Sequence, residues 1–277
     1  MSEATSEKVV LSQLEDGVLV VKFNRPERLN ATTPEMMTQY MQTMLAASDD
    51  RNVRVIVVTG AGKGFCAGAD SAVLGERAKG APRVKRLRPH WFVTQIPKPV
   101  IAAINGPCVG VGFAMAMMCD MRFAAQSARI GPGFARLGLA AEHGAAWMLA
   151  HVTGYARAFE ALTRSQLFQG EELKRLGFVN DVLPDDQLMA HTMNIARDLA
   201  TNCSPRSLAI MKRQLQHAFH EDLPAADERA DRLTGMCFEA DDFQEAIRGR
   251  KEKRPPQFKP LDTDPGTWWP EDEPEAA

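Results

Sequence analysis

The sequence predicts an α/β fold of stacked parallel-sheet turns, with a helical region added at its C-terminal end. Three observations carry this expectation. Two runs, Arg54 to Thr59 and Val100 to Ile104, are almost continuously apolar and short, as strands buried on both faces are. Each run leads into glycines: Gly60 to Asp70 (GAGKGFCAGAD) after the first, Asn105-Gly106-Pro107 and then Gly110-Val111-Gly112 after the second. The second turn feeds an apolar helical segment, Phe113 to Met118, at once. From Asp186 onward the pattern is amphipathic helix with no strand between.

The remaining elements follow in order. Val9 to Leu14 and Val18 to Phe23 flank Asp16-Gly17, a hairpin signal. A polar loop, Asn24 to Ala31, precedes a helix that Thr32 or Thr33 caps, with Pro34 and Glu35 in its first turn. Met36, Met37, Tyr40, Met44 and Leu45 fall near helical spacing and form its core face. Asp70 to Ala78 reads as a helix and Lys79 to Pro89 as a basic loop. Its Arg83, Lys85, Arg86 and Arg88 form either a solvated segment or an attractor for an anionic ligand. His90 to Ile96 is a short helix and Arg122 to Ala125 a strand. Ala145 to Val152 and Ala156 to Thr163 are helices, and Leu173 to Val179 is a helix end running into a strand. This alternation favours stacked turns over a sandwich. Helices are expected over Asp186–Thr201, Pro205–His220, Leu223–Phe238 and Phe243–Lys251. The expected division is a spiral core over 1–200, a helical region over 201–260, and an acidic tail over 261–277. The tail is expected to be mobile, with Trp268 and Trp269 its only means of attachment.

Bulk properties narrow the function. The 277 residues suffice for a full core, and a formal net charge of -2 gives no reason to expect nucleic acid or a membrane surface. No apolar run is long enough for a bilayer, and the opening MSEATSEK has no signal-peptide core, so a cytoplasmic location is expected. Five scattered cysteines, without a CxxC pair or metal-ligand spacing, fit reduced thiols and no metal. The Gly60-x-Gly62-x-Gly64 spacing matches neither a P-loop nor a dinucleotide fingerprint.

The two glycine turns, GAGKGFCAGAD and KPVIAAINGPCVGVG, closely resemble hallmarks of the crotonase (enoyl-CoA hydratase/isomerase) superfamily. The resemblance runs from Asn24-Arg25-Pro26 to the segment Lys253 to Lys259. It implies a crotonase-like spiral of ββα turns with a C-terminal helical trimerisation region. It also implies an acyl-CoA thioester substrate, no separate cofactor (coenzyme A enters with the substrate), and a homotrimer or dimer of trimers. Backbone N–H groups of Ala69 and Val111 are implied as an oxyanion hole for a thioester enolate. Valine between the two glycines departs from the commoner glycine and narrows the pocket without removing the donor. Contacts to CoA or substrate are implied at Arg28, Ala31, Phe65, Cys66, Ala67, Asp70, Gly110 and Phe134, and at Phe258 and Lys259 toward a neighbouring subunit.

The acid–base positions depart from the hydratase pattern. Where hydratases of the family carry two glutamates this chain has Ala114 and Phe134. Glu142, in Leu139-Ala140-Ala141-Glu142-His143-Gly144, matches a third position where single-carboxylate isomerases of the family keep an acid. One carboxylate suits moving a proton between carbons of an enolate. Burial among Phe134, Leu139 and Trp147 is expected to strengthen it as a base. His143 reads as a surface residue and His90 as a lesser candidate for the acyl pocket. Enoyl-CoA isomerisation through Glu142 is the leading reading. Hydration with one carboxylate, addition–elimination on an aromatic acyl-CoA, and a catalytically silent acyl-CoA binder stay open. Ser71 to Gln95, which shapes the pocket in such folds, carries no readable code for the acyl group.

Overall fold

The structure is a computed structural model that describes residues 8–82 and 87–270. Arg83, Lys85 and Arg86 of the basic run lie outside the described residues, and Arg88 is exposed. Among the described residues eight strands are formed: β1 (Val10–Glu15), β2 (Val18–Phe23), β3 (Val55–Gly60), β4 (Val100–Ile104), β5 (Cys108–Val109), β6 (Met121–Ala125), β7 (Ile130–Gly131) and β8 (Asp181–Leu183). The helices are α1 (Pro34–Asp49), α2 (Ser71–Ala78), α3 (Val111–Met117), α4 (Ala145–Thr153), α5 (Tyr155–Arg164), α6 (Glu171–Arg175), α7 (Leu188–Asn202), α8 (Pro205–His217), α9 (Leu223–Glu239) and α10 (Asp241–Glu252).

Six strands form one sheet in the order β1-β2-β3-β4-β6-β8. The hairpin pair β1–β2 is antiparallel and every later pair is parallel. Asp16 (φ 51°) and Gly17 (φ 77°) make the tight turn that joins the hairpin, the backbone such a turn demands. β3 and β4 are buried at every position, as central parallel strands covered on both faces must be. A second layer is thinner: β5 pairs with β7, and isolated bridges join Thr32 to Ala69, Cys66 to Cys108 and Ile130 to Phe168. Each turn of the chain therefore adds one strand to the large sheet and one short segment to the small one.

Helices seal the layers. Thr33 caps α1 by accepting from the Met36 N–H at 3.2 Å, and Met36, Tyr40, Met41, Met44 and Ala47 are buried along one face. α7 lies across the large sheet and buries Leu188, Ala196 and Ala200.

Beyond residue 204 a second, smaller cluster forms from Ala209, Ile210, Leu233, Trp268 and Trp269. Here the expectation of a mobile tail is corrected. Both tryptophans are 4% exposed, the Trp268 indole N–H donates to the Asp262 carbonyl, and Arg213 and Arg229 lie over the Trp269 ring. Composition reads such a segment as solvated, but two indoles bury enough apolar area to hold it down. Residues 271–277 lie outside the described residues. Polar links join this region to the core, among them two at Lys212 and Arg54. Lys212 Nζ reaches Asp120 Oδ2 at 2.8 Å, whose same oxygen accepts from the Val100 N–H, and Arg54 donates to the carbonyls of Ala200 and Phe258.

Within α10 the buried Glu245 is held by Arg254, the Gln257 N–H and Arg248, and these bonds, Arg254's first, pull its carboxyl down to about 2. A depressed folded value adds stability that is full above the ordinary glutamate value of 4.5 and fades as pH falls toward about 2. Thermal melts across that window should show the wild-type midpoint falling more steeply than that of Glu245→Gln.

Candidate active site

The site grows from two loops that leave the sheet side by side. After β3, the glycine loop is held from both flanks by asparagines. Asn30 Nδ2 donates to the carbonyls of Ala61 (2.9 Å) and Gly64 (2.7 Å). Asn105 Nδ2 donates to those of Gly60 and Gly62, and its Oδ1 accepts from the Gly60 N–H. The loop then runs extended between its neighbours. The Thr32 N–H donates to the Gly68 carbonyl and the Asp70 N–H to that of Thr32. On the other side the Cys66 N–H donates to the Pro107 carbonyl and the Val109 N–H to that of Cys66.

This contact is backbone against backbone. A Cβ on Gly112 would lie 2.3 Å from the Cys66 carbonyl oxygen, so only glycine lets the second turn close on the first. Gly68, at φ 109°, occupies a conformation that side chains rarely tolerate. Among the described residues, neither the Ala69 nor the Val111 N–H has a backbone acceptor, and both residues line one cleft. Val111 is the first residue of α3, where no helical partner is available to its N–H.

The cleft measures about 310 Å³ and is walled by Met37 and Met41 of α1, Val73 and Leu74 of α2, and Leu139. Among the described residues Glu142 is the one carboxylate lining it, with Arg77, His90 and His143 the other charged or titratable groups. Glu142 Oε2 lies 3.3 Å from His143 Nε2, and the His143 ring stands 4.1 Å from that of His90. The sequence alone suggests a surface position for His143, but its side chain is only 7% exposed. Its backbone is left-handed (φ 63°) and that of Gly144 follows (φ 77°), which turns the imidazole inward beside Glu142. The adjacency of the two residues before a glycine was the available signal. His90, the lesser candidate, is buried and lines the cleft.

Other expectations divide by side-chain direction. Ala69, Val111 and Glu142 all line the one cleft. Phe65 and Cys66 are fully buried; Phe65 packs edge-on against Phe23, and burial pushes the Cys66 thiol up to about 12. Only their backbone is available to a ligand. The Asp70 carboxylate, expected at the substrate, instead accepts from the Ala72 N–H as the cap of α2 and pairs with Arg25 at 3.0 Å. The two bonds, Ala72's first, hold its carboxyl below the usual range. Ala67 and Gly110 sit in the two loops, half-buried. Arg28 is exposed on a short helix, Pro26–Arg28, and the Ala31 carbonyl accepts from Arg25. Phe134 is not on the cleft wall: it packs with Ala114 and Ala145. Trp147 is also elsewhere, 44% exposed and against His151 and Phe219, so the expected apolar enclosure of Glu142 reduces to Leu139. Phe258 is buried in its own chain, and Lys259 pairs with Asp241.

Parallel ββα turns, stacked so that two loop N–H groups and a carboxylate share one cleft, define a spiral fold of the crotonase class. The profile of the enoyl-CoA hydratase/isomerase family matches residues 13–260, and the chain belongs to this family of acyl-CoA enzymes. It is 31% identical over 256 residues to 1,2-epoxyphenylacetyl-CoA isomerase of Escherichia coli K12, covering 90% of this chain and 97% of that one. A probable enoyl-CoA hydratase/isomerase from Mycobacterium abscessus superposes with a TM-score of 0.84 at 29% identity, covering 91% and 99% of the two chains. An enoyl-CoA hydratase, EchA12_1, from Mycobacterium marinum is 43% identical with a TM-score of 0.66, covering 76% and 97%. Among the described residues, no group of three or more His, Cys, Asp or Glu could hold a metal, and no helix is long and apolar enough to cross a membrane.

Because the two turns meet at Gly112, Gly112→Ala should force them apart. The expected result is a loss of about 1–3 kcal/mol by thermal or denaturant unfolding, together with a fall in acyl-CoA turnover.

Proposed function

We propose that this enzyme isomerises the double bond of an enoyl-CoA, with Glu142 as the single proton carrier. The observation that carries this reading is the fate of the two positions that hydratases use. Ala114 is wholly buried and Phe134 nearly so, and they pack together with Ala145, leaving Glu142 as the carboxylate on the cleft wall. The isomerase activity in the name of the Escherichia coli relative agrees with the reading.

In the proposed reaction a 3-enoyl thioester lies with its carbonyl oxygen toward the Ala69 and Val111 N–H groups. Glu142 takes a proton from C2, and the electron pair spreads over the thioester oxygen, C2 and C4. Two preorganised donors stabilise the oxygen charge. The same carboxyl then returns its proton to C4, leaving the 2-enoyl thioester and restoring the carboxylate. No water enters the balance. Contacts with CoA from Arg28, the Ala31 backbone and the backbone of residues 65–67 belong to this reading. So does a site shared with a neighbouring subunit through Phe258 and Lys259 in a trimer or dimer of trimers.

The test is turnover of a 3-enoyl-CoA and a 2-enoyl-CoA by wild type and Glu142→Gln. Shift of the 3-ene to the 2-ene, lost roughly a thousandfold in the variant (about 4 kcal/mol), is the expected outcome. Dominant hydration of the 2-ene, lost in the variant, would replace isomerisation with one-carboxylate hydration. A variant as active as wild type would remove Glu142 from the mechanism.

A further inference from the structure

We propose that Arg77 recognises a carboxylate at the far end of the acyl group, so that this cleft takes CoA thioesters of dicarboxylic, ω-carboxylated chains. The inference rests on the acyl-CoA reading set out above and adds which acyl group the cleft selects.

Helix α2 begins where the Ala69 turn ends. Asp70 caps it, and Arg77 follows Val73 by four residues and Leu74 by three, so the three share one face. All three are half-buried and line the cleft, whereas Ser71, Ala72, Gly75, Glu76 and Ala78 are exposed. Leading away from Ala69, this wall is therefore apolar first and cationic last. Met37 and Met41 of α1 add to its apolar part. Among the described residues Arg77 is the one lysine or arginine that lines the cleft.

The guanidinium is held but not neutralised. Its Nη1 donates to the Ala81 carbonyl at 3.1 Å, which ties it to the end of α2. A guanidinium has five N–H donors, and this bond uses one. Among the described residues Arg77 has no ion pair with a carboxylate: the acid beside it, Glu76, pairs with Lys79 at 2.9 Å. Two parallel N–H groups of such a fork match the two oxygens of a carboxylate, and partial removal from water strengthens the pair. A chain ending in methyl would lay apolar surface against this charge and hydrate it less, which is unfavourable.

The size of the acyl group follows from the helix. At about 1.5 Å per residue, Arg77 lies about 10 Å along α2 from its Asp70 cap. An extended chain covers that distance in roughly eight bonds of about 1.2 Å each.

The experiment uses pairs of acyl-CoA thioesters of about six, eight and ten carbons. Members of a pair differ only in carrying a methyl or a carboxylate at the far end. Affinities of the saturated pairs are measured by titration calorimetry for wild type, Arg77→Met and Arg77→Lys, and turnover of the matching 3-enoyl pairs is followed separately. At about eight carbons wild type should bind the carboxylate member more tightly by on the order of tenfold to a hundredfold. Arg77→Met should abolish that preference, and Arg77→Lys, which keeps the charge without the fork, should retain part of it. Equal affinity of wild type for both members at every length would overturn the proposal, and this comparison needs no variant to fold. An equal loss for both members in Arg77→Met would also overturn it, placing Arg77 at the CoA moiety or leaving it a cap of α2. A carboxylate preference without isomerisation of the 3-enoyl pairs would instead overturn the reaction assigned to Glu142 and leave recognition at Arg77 standing. Isomerisation without the preference would do the reverse.

Discussion

The rest of the site depends on two backbones touching. The Cys66 carbonyl accepts from the Val109 N–H, the Cys66 N–H donates to the Pro107 carbonyl, and Gly112 closes the gap where no side chain fits. Each bond is ordinary in strength, but together they set the separation of the Ala69 and Val111 N–H groups without any side chain from either residue. That explains why Val111 can stand between two glycines. It also explains why the polar side chains nearby are spent on scaffolding. Asn30 and Asn105 brace the glycine loop, and Asp70 joins Arg25 to the start of α2. In a low-dielectric cleft, donors fixed in this way need no reorganisation when charge develops.

The carboxylate is built on a different principle. Glu142 sits in a segment between a short helical turn, Ala135–Leu137, and α4, with two left-handed residues after it. Its environment is made by residues far apart in the chain: His90 from before β4, Met37 and Met41 from α1, Val73 and Leu74 from α2. The Ala69 and Val111 N–H groups therefore sit in loops joined by backbone bonds, whereas the Glu142 carboxylate stands among side chains gathered from across the cleft. This division permits chemistry to change with few substitutions in a constant framework.

Much of the fold was legible in the sequence because its signals are local. Strands β3 and β4 are continuous apolar runs, the β1–β2 turn has its Asp-Gly, and Thr33-Pro34 opens α1 as caps do. The pairing of the two loops came from motif resemblance, and Glu142 from its register within that resemblance. What failed to show is side-chain direction. Phe65, Cys66 and Asp70 stand in the right loop yet face the core or a neighbouring helix, and Phe134 turns from the cleft toward Ala114. His143 looked like a surface residue because nothing local announces a left-handed backbone at a histidine. The tail was misread for a related reason: Trp268 and Trp269 find their partners in α8 and α9, and no window of sequence contains both.

The packing of Ala114, Phe134 and Ala145 also bears on how such an enzyme can change over generations. A glutamate introduced at 114 would be driven into a fully enclosed apolar neighbourhood, where an unpaired charge is severely penalised. A glutamate at 134 would meet the same two alanines. Either step is costly on its own, so a route toward a two-carboxylate site is eased by changes that open a wet path between α3 and α4. The accessible order of substitutions is thus set by cavity shape, and a lineage that has filled this space is committed by its packing before it is committed by its catalytic residues.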